Sequence, residues 1–157
     1  LPAKLQKQIG TIVLLHEIKD GDTLSIEDLN LTCFDILSTK EKQFGFLAVL
    51  PDGKRLCCLG DEPYNPANEQ YAKDADWLLA ESFCLYAHRD IFKPYEKSHV
   101  TVKDAPEQAE ASGVKNLVIY HAEDKNIDRR KELYTAEAKA HYNGNVFVPE
   151  DLETIIL

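Results

Sequence analysis

Leu56-Cys57-Cys58-Leu59-Gly60-Asp61 and Leu117-Val118-Ile119-Tyr120-His121 each carry a short unbroken apolar run straight into a side chain able to bind a metal. An apolar run of four or five residues bounded by turn signals reads as a strand buried on both faces. Gly60 then lets the chain turn and present a carboxylate, and the second run delivers an imidazole at its end. In sheets of this kind, chemistry gathers just past the strand ends. A Gly-Asp pair is also an ordinary turn, and a histidine after a strand often does no more than bond a carbonyl.

Working outward, the earlier part of the chain reads as strands. Residues 11–15 are a short apolar run, Lys19-Asp20-Gly21-Asp22 a turn, and residues 29–36 alternate as a half-buried strand does. Residues 44–50 and 55–59 flank Pro51-Asp52-Gly53, whose preset proline φ and permissive glycine suit a hairpin turn. Together these predict an antiparallel sheet. The later part alternates: a short helix over 65–73, a strand from 76, a helix over 104–112 closed by Gly113, a strand over 116–120, a helix over 128–142 ended by Asn143-Gly144, and short strands over 146–148 and 154–156. Strand–helix alternation places helices on a face of the sheet. No repeat, low-complexity tract or Pro/Gly/Ser linker divides the chain, so residues 1–157 are expected to form a single domain.

Composition narrows the function. At 44% hydrophobic and 29% charged residues, the chain is ordinary for one globular core. A net charge of -9 argues against a sequence-independent grip on phosphate backbones, which is built from clustered Lys and Arg. Cys33, Cys57, Cys58 and Cys84 have neither C-x-x-C spacing nor disulfide density, so reduced thiols and a cytoplasmic setting are expected. No apolar stretch reaches the ~20 residues that span a bilayer, so no membrane partner is expected. The chain starts at Leu1-Pro2 and contains no methionine, so a segment upstream is expected to have been lost, cleaved or left out.

Two further motifs bear on chemistry. In Leu78-Leu79-Ala80-Glu81-Ser82-Phe83 a carboxylate follows a buried strand. In Ser98-His99-Val100-Thr101-Val102 a histidine precedes a helix that Thr101 can cap. A carboxylate bonded to an imidazole fixes its tautomer and raises its basicity, which suits a proton donor to a leaving group. A satisfied surface pair has the same residues. Between them, Arg89, Lys93 and Lys97 with Tyr86, Phe92 and Tyr95 form a basic-aromatic stretch, either a packed loop or the lining of an entrance for an anionic substrate.

The order of these motifs resembles the metallo-β-lactamase fold and, within it, the tRNase Z-like hydrolases. The resemblance covers most of the chain. It is closest to a bacterial branch of uncharacterised metallo-hydrolases, through Cys58-Leu59-Gly60-Asp61-Glu62-Pro63-Tyr64-Asn65, Phe92-Lys93-Pro94-Tyr95-Glu96-Lys97 and Glu123-Asp124-Lys125-Asn126. It implies an α/β chain forming the C-terminal half of a four-layer αββα sandwich, with a mixed sheet and helices on one face. It further implies two zinc ions, with Asp61 bridging both and His121 a ligand of the second. His99 would stabilise developing charge or protonate the leaving oxygen, and Glu81 would orient it. Apart from the resemblance, the entrance reading of the basic-aromatic stretch makes Lys93, Tyr95 and Lys97 the residues that meet the substrate.

The departures are as informative. The family's H-x-H-x-D-H motif is absent: the five histidines, His16, His88, His99, His121 and His141, stand far apart. Leu37 occupies the place of a further ligand histidine, and Ala80 that of the histidine often found before Glu81. His16-Glu17 begins like a zincin helix, but Asp20 stands where the second histidine belongs. Only Asp61 and His121 then remain as ligands, and catalytic zinc sites use three. The chain is therefore expected to be part of a zinc-dependent phosphodiester or ester hydrolase, inactive alone, or else a degenerate binding module keeping the fold. Its expected partner is the missing N-terminal half or a second copy of itself, with a small phosphodiester or ester as substrate and tRNA disfavoured.

Overall fold

Pro51-Asp52-Gly53 closes a hairpin as its residues dictate, with Gly53 at φ +84° and its N–H donating to the Leu50 carbonyl. The turn joins β3 (Phe44–Val49) to β4 (Arg55–Cys58) in a computed structural model that describes residues 2–12 and 14–157. Before them lie β1 (Thr23–Ile26) and β2 (Leu29–Asp35); after them come β5 (Trp77–Glu81), β6 (Asn116–Tyr120) and β7 (Asn145–Phe147). The seven strands form one sheet in chain order. Pairings are antiparallel from β1 to β4 and parallel from β4 to β7.

The switch from antiparallel to parallel follows from the connections. A parallel pair needs a crossover, and each one here contains helix. Helix α2 (Glu69–Ala72) lies between β4 and β5, α3 (Arg89–Phe92) and α4 (Asp104–Ala111) between β5 and β6, and α5 (Arg130–Lys139) between β6 and β7. A four-residue α1 (Ala3–Gln6) stands at the start of the chain.

Strand alternation sorts the side chains onto two faces. Cys57, Leu78 and Leu117 are register neighbours with no exposed surface, and with Phe34, Ala80 and Ile119 they meet Ala105, Ala109, Tyr134 and Ala138 of the helices. On the other face Leu56, Trp77, Ala48 and Val118 form a smaller cluster, flanked by the half-buried Leu31, Phe46, Leu79 and Phe147. Among the described residues no helix contributes to that cluster. The sheet is thus helix-covered on one face and apolar on the other.

Arg55 ties α2 to the sheet. Its guanidinium donates to the carbonyls of Lys73 (2.8 Å), Gln70 (3.2 Å) and Tyr71 (3.3 Å), where the end of a short helix leaves acceptors unmet. Arg55→Ala is expected to lower unfolding free energy by about 1–2 kcal/mol in a urea titration. Arg55→Lys should recover less than half of that, since one ammonium cannot span three carbonyls.

Most predicted elements are found within two or three residues of their expected bounds. Residues 154–156 are a correction: they join no strand ladder, and Ile155 instead packs against the helix-free face. The region around His16-Glu17 has no regular structure, and Ile12, Leu14 and Leu15 of the early apolar run are exposed, while Leu1 and Val13 lie outside the described residues. All four cysteines are free thiols. Among the described residues no helix is long and apolar enough to cross a membrane.

Candidate metal centre

The parallel register sets β4, β5 and β6 side by side, so their C-terminal ends open at one edge of the sheet. Asp61 follows β4 by three residues, Glu81 ends β5, and His121 follows β6 directly. Gly60 makes the turn into Asp61 at φ +73°, and a Cβ there would press on Ile36 Cδ1 at 3.0 Å. The Tyr120 hydroxyl donates to the Gly60 carbonyl, which ties the turn carrying Asp61 to the strand carrying His121. His121 itself sits at φ +55°, a left-handed conformation that residues with a Cβ seldom adopt.

His99 arrives from the far side. The backbone after β5 pairs with the segment before α4: the Phe83 N–H donates to Val100 O and the Val102 N–H to Cys84 O. Thr101 and Asp104 start α4 reciprocally, the Asp104 carboxylate accepting from the Thr101 N–H at 2.8 Å and the Thr101 hydroxyl from the Lys103 N–H at 3.3 Å. The N-cap position itself falls on Lys103, which makes no side-chain cap bond, so Thr101 shapes the turn just before the helix rather than capping it. That turn anchors the segment just after His99, whose ring stacks on Phe83 at 5.3 Å.

These elements converge on one point. His99 Nδ1 lies 3.5 Å from Asp61 Oδ1 and 3.4 Å from Glu81 Oε2, and His121 Nδ1 lies 3.1 Å and 3.7 Å from the same two oxygens. All four donor atoms fall within 4.8 Å of one another, the only such group of three or more among the described residues. Glu81 and His99 form the buried floor, while Asp61 and His121 are partly open to solvent.

The electrostatics fit a cation. Asp61 Oδ1, Glu81 Oε2 and His99 Nδ1 are buried atoms with no hydrogen-bond partner, whereas Glu81 Oε1 accepts from the Val100 N–H at 2.9 Å. Burial pushes the Glu81 carboxyl up to about 8, against the pull of that N–H and with the Asp61 charge adding to it. Burial, then the nearby Lys40 charge, holds the His99 imidazole below its ordinary value. Two carboxylates and two imidazoles whose donor atoms lie this close together are a donor set that divalent zinc accepts.

The remaining site residues fall around this centre. The Lys97 ammonium lies 5.9 Å from the centre of the Phe83 ring, the ring that His99 also stacks on. Lys93 is paired with Glu96 at 2.9 Å, and the Tyr95 hydroxyl donates to Asp104 at 2.8 Å, so both are engaged away from the four donors. Leu37 is exposed at φ +56°. Two neighbours had no motif to reveal them. Lys40 pairs with the buried Glu62 at 3.5 Å, and Ser38 donates to Glu62 at 2.6 Å. Both lie near the segment where a ligand histidine is expected, which is the one signal that points to them.

Known structures place this architecture. The metallo-beta-lactamase fold protein YhfI from Bacillus subtilis superposes on 85% of this chain and 52% of its own, with a TM-score of 0.69 at 15% identity. Zn(2+)-bound PqqB from Methylobacterium extorquens does so over 89% and 55%, with a TM-score of 0.70 at 16% identity. The chain is therefore an α/β protein of metallo-β-lactamase fold. In sequence it is ribonuclease Z-like: ribonuclease Z from Streptococcus pyogenes is 29% identical over 145 residues, covering 92% of this chain and 43% of that protein. The chain thus spans less than half the length of the curated relatives it matches. No protein-family model matches it.

Proposed function

We propose that this chain is the C-terminal part of a zinc-dependent hydrolase of phosphodiesters or esters, a single domain whose site is completed by the N-terminal half of the same fold. The observation that carries this reading is the convergence of Asp61, Glu81, His99 and His121 at the ends of three parallel strands in a ribonuclease Z-like chain. The helix-free apolar face, with Trp77 and Val118 at its centre, supplies the surface on which a second sheet would pack.

Asp61 and His121, on the open side, are the ligands for zinc. Zinc held by these residues would supply Lewis acidity, lowering the pKa of a water and polarising the ester oxygen. His99, fixed between the Phe83 ring and Glu81, is placed to give a proton to the leaving oxygen or to steady charge on it. Lys97, beside Phe83, offers a cation to an anionic substrate; Lys93 and Tyr95 belong to the same rim but are held by Glu96 and Asp104.

The test joins this chain to the half of the Streptococcus ribonuclease Z that it does not match, in one polypeptide, and follows hydrolysis of bis(p-nitrophenyl) phosphate with zinc. The chain alone should be silent and the joined protein active. Asp61→Ala or His121→Ala should then cost about 1,000-fold or more in kcat, in line with losses on removing a principal catalytic group. A folded, zinc-loaded joined protein that does not exceed the zinc blank would sink the reading. One observation favours a second reading, a binding module that has kept the fold: Leu37 stands exposed where a ligand histidine is expected. Leu37→His should raise activity in the joined protein if the enzyme reading holds.

A further inference from the structure

Leaving the missing half aside, the four donors have a geometry of their own. A tetrahedral ion with ligand bonds of about 2.0–2.1 Å has ligand–ligand edges of about 3.3 Å. The four edges joining His99 Nδ1 and His121 Nδ1 to Asp61 Oδ1 and Glu81 Oε2 measure 3.5, 3.4, 3.1 and 3.7 Å. Those lengths alone would also suit hydrogen bonds, but Asp61 Oδ1, Glu81 Oε2 and His99 Nδ1 make none. All four donor atoms lie within 4.8 Å of one another, close enough to share one ion. Glu81 is 1% exposed and His99 9%, so two polar groups are buried, each with an atom that makes no hydrogen bond. Leaving such groups unmet is costly, and a shared cation satisfies all of them at once.

We infer that Asp61, Glu81, His99 and His121 together form a mononuclear metal site within this chain alone, a two-carboxylate, two-imidazole set suited to zinc, in which Glu81 and His99 act as ligands. The inference rests on the proposed function only for Asp61 and His121 as metal ligands, and it raises the ligand number from two to four. The floor is already held rigid: Glu81 Oε1 is fixed by the Val100 N–H, and the His99 ring lies on Phe83. Asp61 and His121, being partly exposed, leave a path for the ion to enter. When the other half is present it brings ligands of its own, and the set around Glu81 and His99 is then free to differ.

The experiment uses the chain as it is. After chelator treatment and dialysis against zinc, elemental analysis should find one zinc per chain, and the cobalt-substituted chain should show the intense visible bands of a tetrahedral ion. Asp61→Asn, Glu81→Gln, His99→Gln and His121→Gln should each weaken zinc binding by at least about tenfold in a chelator competition. His141→Gln, on the surface beside Glu107, should leave it unchanged. Glu81→Gln keeps an oxygen for the Val100 N–H, and His121 is exposed, so at least these two variants should fold; thermal unfolding with chelator present checks this. Zinc well below one per chain, or two per chain, overturns the inference. So does zinc retained at full affinity by both Glu81→Gln and His99→Gln but lost in Asp61→Asn, which would leave the proposed function standing without it.

Discussion

Gly45→Ala is expected to destabilise the chain by about 3 kcal/mol or more, the upper end of the usual cost of overpacking. A Cβ at position 45 would lie 2.5 Å from the Cys58 carbonyl oxygen and 2.5–2.6 Å from two atoms of the Phe34 ring. Neither neighbour can yield cheaply. Cys58 belongs to β4, hydrogen-bonded between β3 and β5, and the Phe34 ring is fully buried and stacked on Tyr71 at 4.2 Å. Phe34 and Gly45 are register partners, so the ring fills the space that a side chain on β3 would otherwise take. Urea unfolding followed by circular dichroism measures the loss. Adding Phe34→Leu should recover part of it, since one of the two clashes is removed, and the pair should be clearly non-additive. A cost below about 1 kcal/mol would mean that β3 can move away from β4, and with it the start of the frame that holds Asp61.

Gly45 also illustrates what the sequence could not show. Its neighbours Phe44 and Phe46 marked a strand, but that a ring from β2 lies over it depends on register, which is a relation between strands. The same limit explains the elements that differ. Thr23-Leu24-Ser25-Ile26 is an edge strand with only Leu24 half-buried, so its alternation carries little apolar signal and the turn residues beside it dominate. Ile155 and Ile156 have strand composition, yet Ile155 packs by its side chain alone while Ile156 is 90% exposed. The buried strands were legible because four or five apolar residues in a row between turn signals admit few other arrangements.

The candidate site divides in the same way. Asp61, Glu81, His99 and His121 each stand at the end of a recognisable motif, and the structure brings all four together. Their distances do not follow from their spacing. Parallel pairing of Leu56 with Trp77 and of Trp77 with Asn116 sets which strand ends are level, and the Phe83–Val100 bond brings His99 back to them. Counting ligands along the chain therefore finds two, whereas the folded edge brings four donor atoms within 4.8 Å of one another. Lys40 and Ser38, which no motif marks, come together on Glu62 only once that edge exists.

Tyr120→Phe is the second large effect, and it separates holding the site from holding the fold. The Tyr120 hydroxyl donates to the carbonyl of Gly60, one residue before Asp61, and Tyr120 itself is one residue before His121. A single phenol thus sets the spacing of two proposed ligands. Burial, with Cys58 and the site carboxylates adding to it, raises the phenol's pKa far above neutrality, so it remains a donor throughout the working pH range. Phenylalanine keeps the ring and its packing but leaves the Gly60 carbonyl without this partner, at a stability cost of about 1 kcal/mol. Zinc affinity should fall much further, by about 10–100-fold, as expected when a group orienting a metal ligand is removed. A chelator competition and a urea titration of the metal-free chain measure the two separately. Cys58→Ala, which removes only a 3.9 Å sulfur contact to the same hydroxyl, should leave zinc affinity within a few-fold of the parent. If Tyr120→Phe weakens folding and zinc binding to the same extent, the hydroxyl supports the sheet edge in general; a loss confined to zinc binding identifies the Gly60 tether as what keeps Asp61 and His121 in range of each other.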